Sequence, residues 1–359
     1  MLREIYDGLN VRDNIQRDAF EETLRLFNEA TVQGLSDADY PVGDELFYEQ
    51  LRTNNEVFSA FRTHRMQNDL AARMIDENGR LKPFDKWVED VKDITDHYVV
   101  RWLRTEYDTA VLRAHQAADW KRFEAYEDVL PNLRWLPTTS PDPDIYHKQY
   151  WEAKLTLPVN HPFWQSHRPG DRWNCKCSLE ATDEPATTGA VADFKPIPEV
   201  PGLNNNPADD GKLFGDSHPY YTEAYPGAEA AVDRIVMKIR RKQIQYEAGP
   251  LTEKPLVNKG FGKSVQLTKK GIKEWLNQPH EHYIEKNEML LNIDEVFQNA
   301  RYLGWGEDEH NQSIKMHLFE TKIKKDKTWM VVRELSDGSI RLHSISDNKR
   351  ILDFIKKAK

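Results

Sequence analysis

The spacing of apolar residues divides the chain before any other property does. Over residues 13–34, Phe20, Leu24, Leu26 and Phe27 recur at intervals of three and four, which predicts an amphipathic helix. A longer helix is predicted over 44–75 from Leu46, Leu51, Val57, Phe61, Leu70 and Met74, ending at Asn78-Gly79. Pro83 opens a third helical run, from Phe84 to about Asp119, carried by Trp87, Val91, Ile94, Tyr98, Trp102, Tyr107 and Val111. Arg104 and Asp108 stand four apart in it and can pair on its surface. From Pro131 the period is lost. Pro131, Pro137, Pro141, Pro143, Pro158, Pro162 and Pro169 leave room only for short strands at 133–136 and 154–157. The expectation is a mostly α body with a loop-rich α+β cap, over residues 1–180.

Residues 181–226 are rich in Pro and contain Asn204-Asn-Asn206, a composition that extends rather than folds. Phe194, Leu213-Phe214 and Tyr220-Tyr221 are the side chains in it that could dock on the body. A helix with a basic end follows at 228–246, so residues 181–250 read as a linker plus a basic helix. Residues 251–359 read as a separate small α+β domain. Thr268 caps a helix over 269–278, Asn292 opens another to Ala300, and three strands follow at 313–323, 328–335 and 339–346. Asp337-Gly338 marks the turn of a hairpin. Helices followed by an antiparallel sheet define the class.

Charge sharpens this division. The net charge is -9, yet residues 251–359 hold 20 Lys and Arg against 16 Asp and Glu, leaving 30 against 43 in residues 1–250. A mildly basic tail on an acidic body suits an RNA-binding appendage. No apolar run is long enough to span a membrane, and the first residues lack the pattern of a signal peptide. Two cysteines in 359 residues fit a reducing compartment and exclude a disulfide scaffold. No Gly-rich phosphate loop is present, which argues against an NTP-driven enzyme.

Both cysteines fall in one aromatic stretch: His147-Lys-Gln-Tyr-Trp151, His161-Pro-Phe-Trp164, His167-Arg-Pro-Gly170 and Trp173-Asn-Cys175-Lys-Cys177. Thiolates with imidazoles suit zinc, so His147, His161, His167, Cys175 and Cys177 are candidate ligands of a structural zinc. Cys-x-Cys is a less usual zinc spacing than Cys-x-x-Cys, and plain packing of two buried thiols is the competing reading. The same motifs, with Arg104-Thr-Glu106, Pro131-Asn-Leu-Arg-Trp135 and Thr138-Thr-Ser140, resemble the phage Mu F-like minor head protein (head morphogenesis) family over residues 1–225. The resemblance implies a structural role at the portal of a phage head, with portal and capsid proteins and phage DNA as partners. It places the chain in the bacterial cytoplasm during assembly and then in the virion. It also makes Arg104-Thr-Glu106 a buried polar anchor that holds the helices to the aromatic loop, where spacing alone reads surface charge.

In the last 110 residues or so, Trp329-Met-Val-Val-Arg-Glu334, Asp337-Gly338 and Leu342-His-Ser-Ile345 resemble phage-associated nucleases related to barnase, EndoU, colicin-type ribonucleases and RelE. The resemblance implies a metal-independent ribonuclease or toxin, needing no cofactor, that acts on RNA in a recipient cell and is paired with an immunity protein. Such chemistry needs a base for the 2′-hydroxyl, an acid for the leaving oxygen and cations around the phosphorane. The candidates are Arg333, His343, Ser344, His317 and His280, with Lys263, Lys269 and Lys270 as nucleic-acid contacts. A two-residue hairpin turn sets Arg333 diagonal to Ser344 and pairs Glu334 with Arg341. A three-residue turn with a bulge sets Arg333 on one face with His343. Both registers stand on the sequence. Each candidate also has a plain structural reading, as a balanced surface charge or a satisfied strand residue. A nucleic-acid or protein binding module without catalysis is the alternative for the whole domain. His310 and residues 307–309 read as a solvated loop.

Overall fold

In the computed structural model, every residue is described except 39–44, 141–142, 144, 188–190, 192–193, 196, 308–311 and 356–359. The expected loop residue His310 therefore lies outside the described residues. The chain divides into two compact units, Met1–Val236 and Met237–Lys359, with the division inside the helix Ala228–Glu247.

The first unit is built on the helix Arg17–Asp37. Its buried residues Phe20, Thr23, Leu24, Phe27, Ala30, Thr31, Gly34 and Leu35 keep the helical spacing on one face. The helix Trp102–Ala125 meets it with a row of small residues, Ala110, Ala114, Ala117 and Ala118. A Cβ on Gly34 would overlap Val111 O and Ala114 Cβ, so glycine allows the two backbones to approach. The helix Glu45–Ala71 packs on Arg17–Asp37. Leu46, expected in its apolar stripe, is exposed. The helical run expected from Phe84 is broken into Phe84–Asp90, Lys92–Asp96, a π-helical turn at His97–Arg101, and Trp102–Ala125. Val99, Val100 and Trp102 at that turn face solvent.

Buried ion pairing ties these helices together. Arg62 Nε donates to Glu106 Oε2 at 2.6 Å, and Tyr220 OH donates to Glu106 Oε1 at 2.7 Å. Arg62 also bonds Tyr98 O. Glu106 is thus a buried anchor, but it holds Arg62 and Tyr220 rather than the aromatic stretch at 147–177 that the family resemblance implies, while Arg104 is an exposed residue 4.0 Å from Asp108, as spacing alone implies.

The cap is a three-stranded antiparallel sheet in the order β2-β1-β3, with β1 Asn132–Leu136, β2 Thr156–Pro158 and β3 Ser178–Thr182. Beyond it, the segment expected to extend as a linker is folded into the unit. Leu203, Leu213, Phe214 and Tyr220 are buried, and Phe214 stacks on Phe58 with centroids 4.1 Å apart. The reason is Arg113. Its guanidinium donates to Leu213 O (2.6 Å), Gly170 O (2.6 Å), Leu203 O (2.9 Å), Asn205 O (2.9 Å) and Asn205 Oδ1 (2.8 Å). The segment's carbonyls are satisfied by a helix side chain, so it needs no ladder of its own.

In the second unit, short strands β4 Leu256–Val257 and β5 Ser264–Val265 precede the helices Lys269–Asn277, Tyr283–Glu288 and Ile293–Asn299. A four-stranded antiparallel sheet follows in the order β6-β7-β8-β9. Its strands are β6 Arg301–Glu307, β7 Lys315–Ile323, β8 Asp326–Glu334 and β9 Ile340–Ser346. Thr268 Oγ1 accepts from Gly271 N–H at 3.0 Å and starts the first helix. That helix packs on β9, where a Cβ on Gly271 would overlap Leu342 O. Trp275, Phe297, Phe319, Met330, Val332, Leu342 and Ile345 form the core between helices and sheet. Buried Lys286 donates to Trp275 O (2.6 Å) and Gln278 O (2.9 Å), capping the same helix at its C-terminal end. Burial pushes its pKa down to about 7. The strand β6 was not expected, because Gly304 and Gly306 interrupt its alternation; Gly304 lies at φ +131° beside a bulge.

Two outcomes test the first unit. Arg113→Met strands five acceptors and should destabilise the unit by about 3–5 kcal/mol in urea unfolding. His218 is buried and its Nδ1 accepts from Tyr220 N–H at 3.1 Å. Burial, aided by the Arg62 charge, pushes its pKa down to about 4. Between that value and the ordinary ~6.5 the unfolded chain binds the extra proton, so stability is present above about pH 6.5 and is lost as pH falls towards 4. The loss should be roughly 2–3 kcal/mol between pH 7 and 4.5, and largely absent in His218→Asn, whose amide oxygen keeps the cap.

Candidate functional site

The hairpin joining β8 to β9 decides which polar groups meet. Leu335 N–H donates to Ser339 O and Gly338 N–H to Leu335 O, both at 2.9 Å, around Ser336-Asp337-Gly338. Gly338 supplies the required positive φ of +82°. This is the three-residue register. Arg333 stands opposite Arg341, and Glu334 opposite Ile340. The Glu334–Arg341 pair of the other register does not form. A bulge follows, with Val332 opposite Leu342 and Val331 opposite Ser344, leaving half-buried His343 as the extra residue.

Alternation across the sheet then separates the sequence candidates. His317 pairs with Val332 and shares the helix-facing side with Glu334 and Lys315. Arg333 and Ser344 lie on the opposite side, among Leu318, Trp329 and Val331, which are all buried. That side is packed with apolar groups rather than open to a phosphodiester. His280 shares the side of His317 but sits at the other end of β8, its Nε2 3.0 Å from Thr328 Oγ1. Thr328 is six residues from Glu334, about 20 Å at a strand's rise. Burial pushes the pKa of His280 down. Lys269 and Lys270 are exposed at the start of the helix on β9, and Lys263 is exposed beside β5. The five catalytic candidates are thus spread over both faces and both ends.

What converges instead is a directed chain of four groups. His317 Nε2 lies 2.9 Å from Glu334 Oε2, and Tyr302 OH lies 2.9 Å from His317 Nδ1. Lys263 Nζ reaches both Glu334 oxygens, at 3.1 and 3.2 Å. A carboxylate only accepts, so His317 carries its proton on Nε2 and Tyr302 donates to Nδ1. Burial lowers the pKa of His317, against the raising effect of Glu334, so the ring is held neutral. Burial acts against the Glu334 carboxylate, but hydrogen bonds from His317 and Lys263 outweigh it and hold the carboxyl below its usual range. Burial, then the Glu334 charge, raises the pKa of Tyr302. The inner end is closed, with His317 4 % exposed, while the Lys263 side chain is 50 % exposed. Half-buried Phe261 and Trp305 stand alongside: Phe261 contacts the His317 ring at 4.7 Å, and Trp305 lies opposite His317 on β6. Ionised base, cation and aromatic surfaces together are suited to an RNA strand.

Sequence reasoning missed Tyr302 and Glu334. A two-residue turn at Lys324-Lys325 would have found Glu334, since it pairs Lys315 with Glu334 and His317 with Val332. Tyr302 lay in the unrecognised strand.

In the first unit, His147 Nδ1, Cys175 Sγ and Cys177 Sγ lie within 4.8 Å of one another, all buried. His161 and His167 do not join them. His161 Nδ1 accepts from Phe163 N–H at 3.1 Å, and His167 packs on Phe163 with its Nδ1 3.8 Å from Asp171 Oδ2. Both rings serve the local turn, which corrects the expectation of five ligands. A cavity of about 440 Å³ also lies in this unit, walled by Tyr98, Trp102, Trp173, His218 and Tyr220. Its Glu106 is already bonded to Arg62 and Tyr220. Among the described residues, no helix is long and apolar enough to cross a membrane.

The direction of the His317 shift gives a test. Glu334→Gln removes the carboxylate that favours the imidazolium, so the pKa of His317 should fall further, read by NMR titration of the ring.

No curated protein and no solved structure matches the chain. Residues 236–343, which include His317, Glu334 and Lys263, match the family described as large polyvalent protein-associated domain 3.

Proposed function

We propose that the chain is a phage minor head protein whose second unit cleaves RNA without a metal ion. The single observation that carries the cleavage is the chain Tyr302–His317–Glu334–Lys263 opening beside Phe261 and Trp305. Glu334 takes the proton of the 2′-hydroxyl as it attacks phosphorus. Lys263 leaves the carboxylate for a phosphate oxygen and stabilises the phosphorane. His317 is a positioning residue that holds Glu334, and Tyr302, kept protonated, fixes the tautomer of His317. The products are a 2′,3′-cyclic phosphate and a 5′-hydroxyl, the leaving oxygen taking its proton from water or from a group of the RNA-bound state.

The head role rests on the motif resemblance of residues 1–225. In this reading the first unit binds portal and capsid proteins around the phage DNA, and the second unit travels in the virion to a recipient cytoplasm. An immunity protein covers the second unit in the producing cell.

A second reading, binding of nucleic acid without cutting, is favoured by one observation: His317 is 4 % exposed with both ring nitrogens bonded.

The test uses the full chain on end-labelled RNA with EDTA present. Cleavage to cyclic-phosphate ends is expected, reduced about 100-fold or more by Glu334→Gln and by at least about tenfold by Lys263→Ala. Arg333→Ala should have little effect. RNA bound but intact selects the second reading, and cleavage unchanged by Glu334→Gln removes the site.

A further inference from the structure

Two thiols converge on one nitrogen in the cap. Cys175 Sγ is 3.5 Å and Cys177 Sγ is 3.8 Å from the same His147 Nδ1. The two sulfurs also hydrogen-bond each other, so three buried donors are drawn together in one place. A tetrahedral zinc would hold all three. With Zn–S of about 2.3 Å and Zn–N of about 2.0–2.1 Å, sulfur and nitrogen ligands stand roughly 3.6 Å apart. The donors already sit at that spacing.

The surroundings of the three donors fit the same occupant. The other ring nitrogen of His147, Nε2, lies 2.8 Å from Asp171 Oδ1, and both side chains are buried. The carboxylate lies beside that nitrogen, and Nδ1 is the ring nitrogen that faces the sulfurs. Cys177 N–H points at Cys175 Sγ, 3.5 Å away, a contact that suits a thiolate. Trp135 closes the site with its ring 4.9 Å from that of His147.

We propose that His147, Cys175 and Cys177 bind one zinc ion that fastens the helix Ile145–Glu152 to the loop entering β3, with Asp171 as the positioning residue for His147. The fourth position goes to water or another non-protein ligand. The loop so fastened carries Gly170, whose carbonyl Arg113 holds, and Trp173, which walls the cavity. The ion orders a segment too rich in Pro and Gly to order itself. This inference is independent of whether the second unit cuts RNA.

The test is metal content of the full chain, purified under reducing conditions without chelators, together with uptake of Co2+ by metal-stripped protein. About one zinc per chain and thiolate-to-cobalt absorption are expected. Cys175→Ser, Cys177→Ser and His147→Gln should each lower zinc at least tenfold, while His161→Ala and His167→Ala keep it. Asp171→Asn should weaken affinity about 10–100-fold in chelator competition. Should a ligand variant fail to fold, stripping the wild-type chain reads the same question through its Tm, which should fall. A folded, reduced wild-type chain that holds less than a tenth of an equivalent and takes up no Co2+ overturns the proposal. Loss of zinc in His161→Ala or His167→Ala, or a Tm unchanged on stripping, overturns it as well.

Discussion

A carbonyl group taken out of water needs a donor, and much of this molecule is arranged around that requirement. Segments 168–177 and 200–214, with their Pro, Gly and Asn, pair their own backbones only in turns and in the short helix Pro207–Asp210. The donors come from buried cations on neighbouring helices. Arg113 supplies four backbone carbonyls and one amide oxygen, and Arg62 bonds Tyr98 O while pairing with Glu106. Arg168, inside the first of these segments, turns back to bond Trp164 O and Gln165 O of the short helix before it. The second unit uses Lys286 in the same way at the end of a helix. A guanidinium suits the task because its five donors lie in one plane and stay charged. Deleting such a cation is costly for the same reason, since each acceptor it leaves stays buried.

This dependence also sets what could be read from the sequence. Elements held by their own period were legible: the face of Arg17–Asp37, the strands β7, β8 and β9, and the cap at Thr268. Segments held by a distant side chain were not. Residues 200–214 look like a linker because their local order is limited to turns and one short helix, and Arg113 stands about 90 residues or more away. The strand β6 was hidden by Gly304 and Gly306, which remove two of the side chains that would have shown alternation. Glu106 was ambiguous on spacing alone, because a carboxylate on a helix reads as surface until its partner Arg62 is known.

The candidate site shows a finer version of the same limit. Residue types were visible, but a sheet divides them by parity, and parity depends on single residues in turns. The three-residue turn at Ser336-Asp337-Gly338 places Arg333 beside Arg341, and the two-residue turn at Lys324-Lys325 sets it on the face away from His317. One extra residue at His343 then carries Ser344 to the side of Val331. A register argument that left both turns open could name Arg333, His317 and Ser344, but not which of them meet. Once the registers are fixed, Glu334 replaces Arg333 as the group that His317 addresses.

The Tyr302–His317–Glu334–Lys263 chain is graded from rigid to labile, and the grading bears on chemistry. At the inner end the Tyr302 and His317 bonds are enclosed, so breaking them exposes buried polar atoms at about 1–3 kcal/mol each. At the outer end the Lys263–Glu334 contact is partly solvated, and such pairs contribute roughly 0–1 kcal/mol. In the proposed reaction an arriving phosphate would draw Lys263 from Glu334 at little cost, while His317 stays in place and keeps the carboxylate aimed. Removal of the lysine frees an ionised oxygen next to the new anion's sugar, where a proton acceptor is needed. On that proposal, the same two groups that neutralise each other in the resting protein would serve as a cation for phosphate and a base for a hydroxyl, without a rearrangement of the sheet.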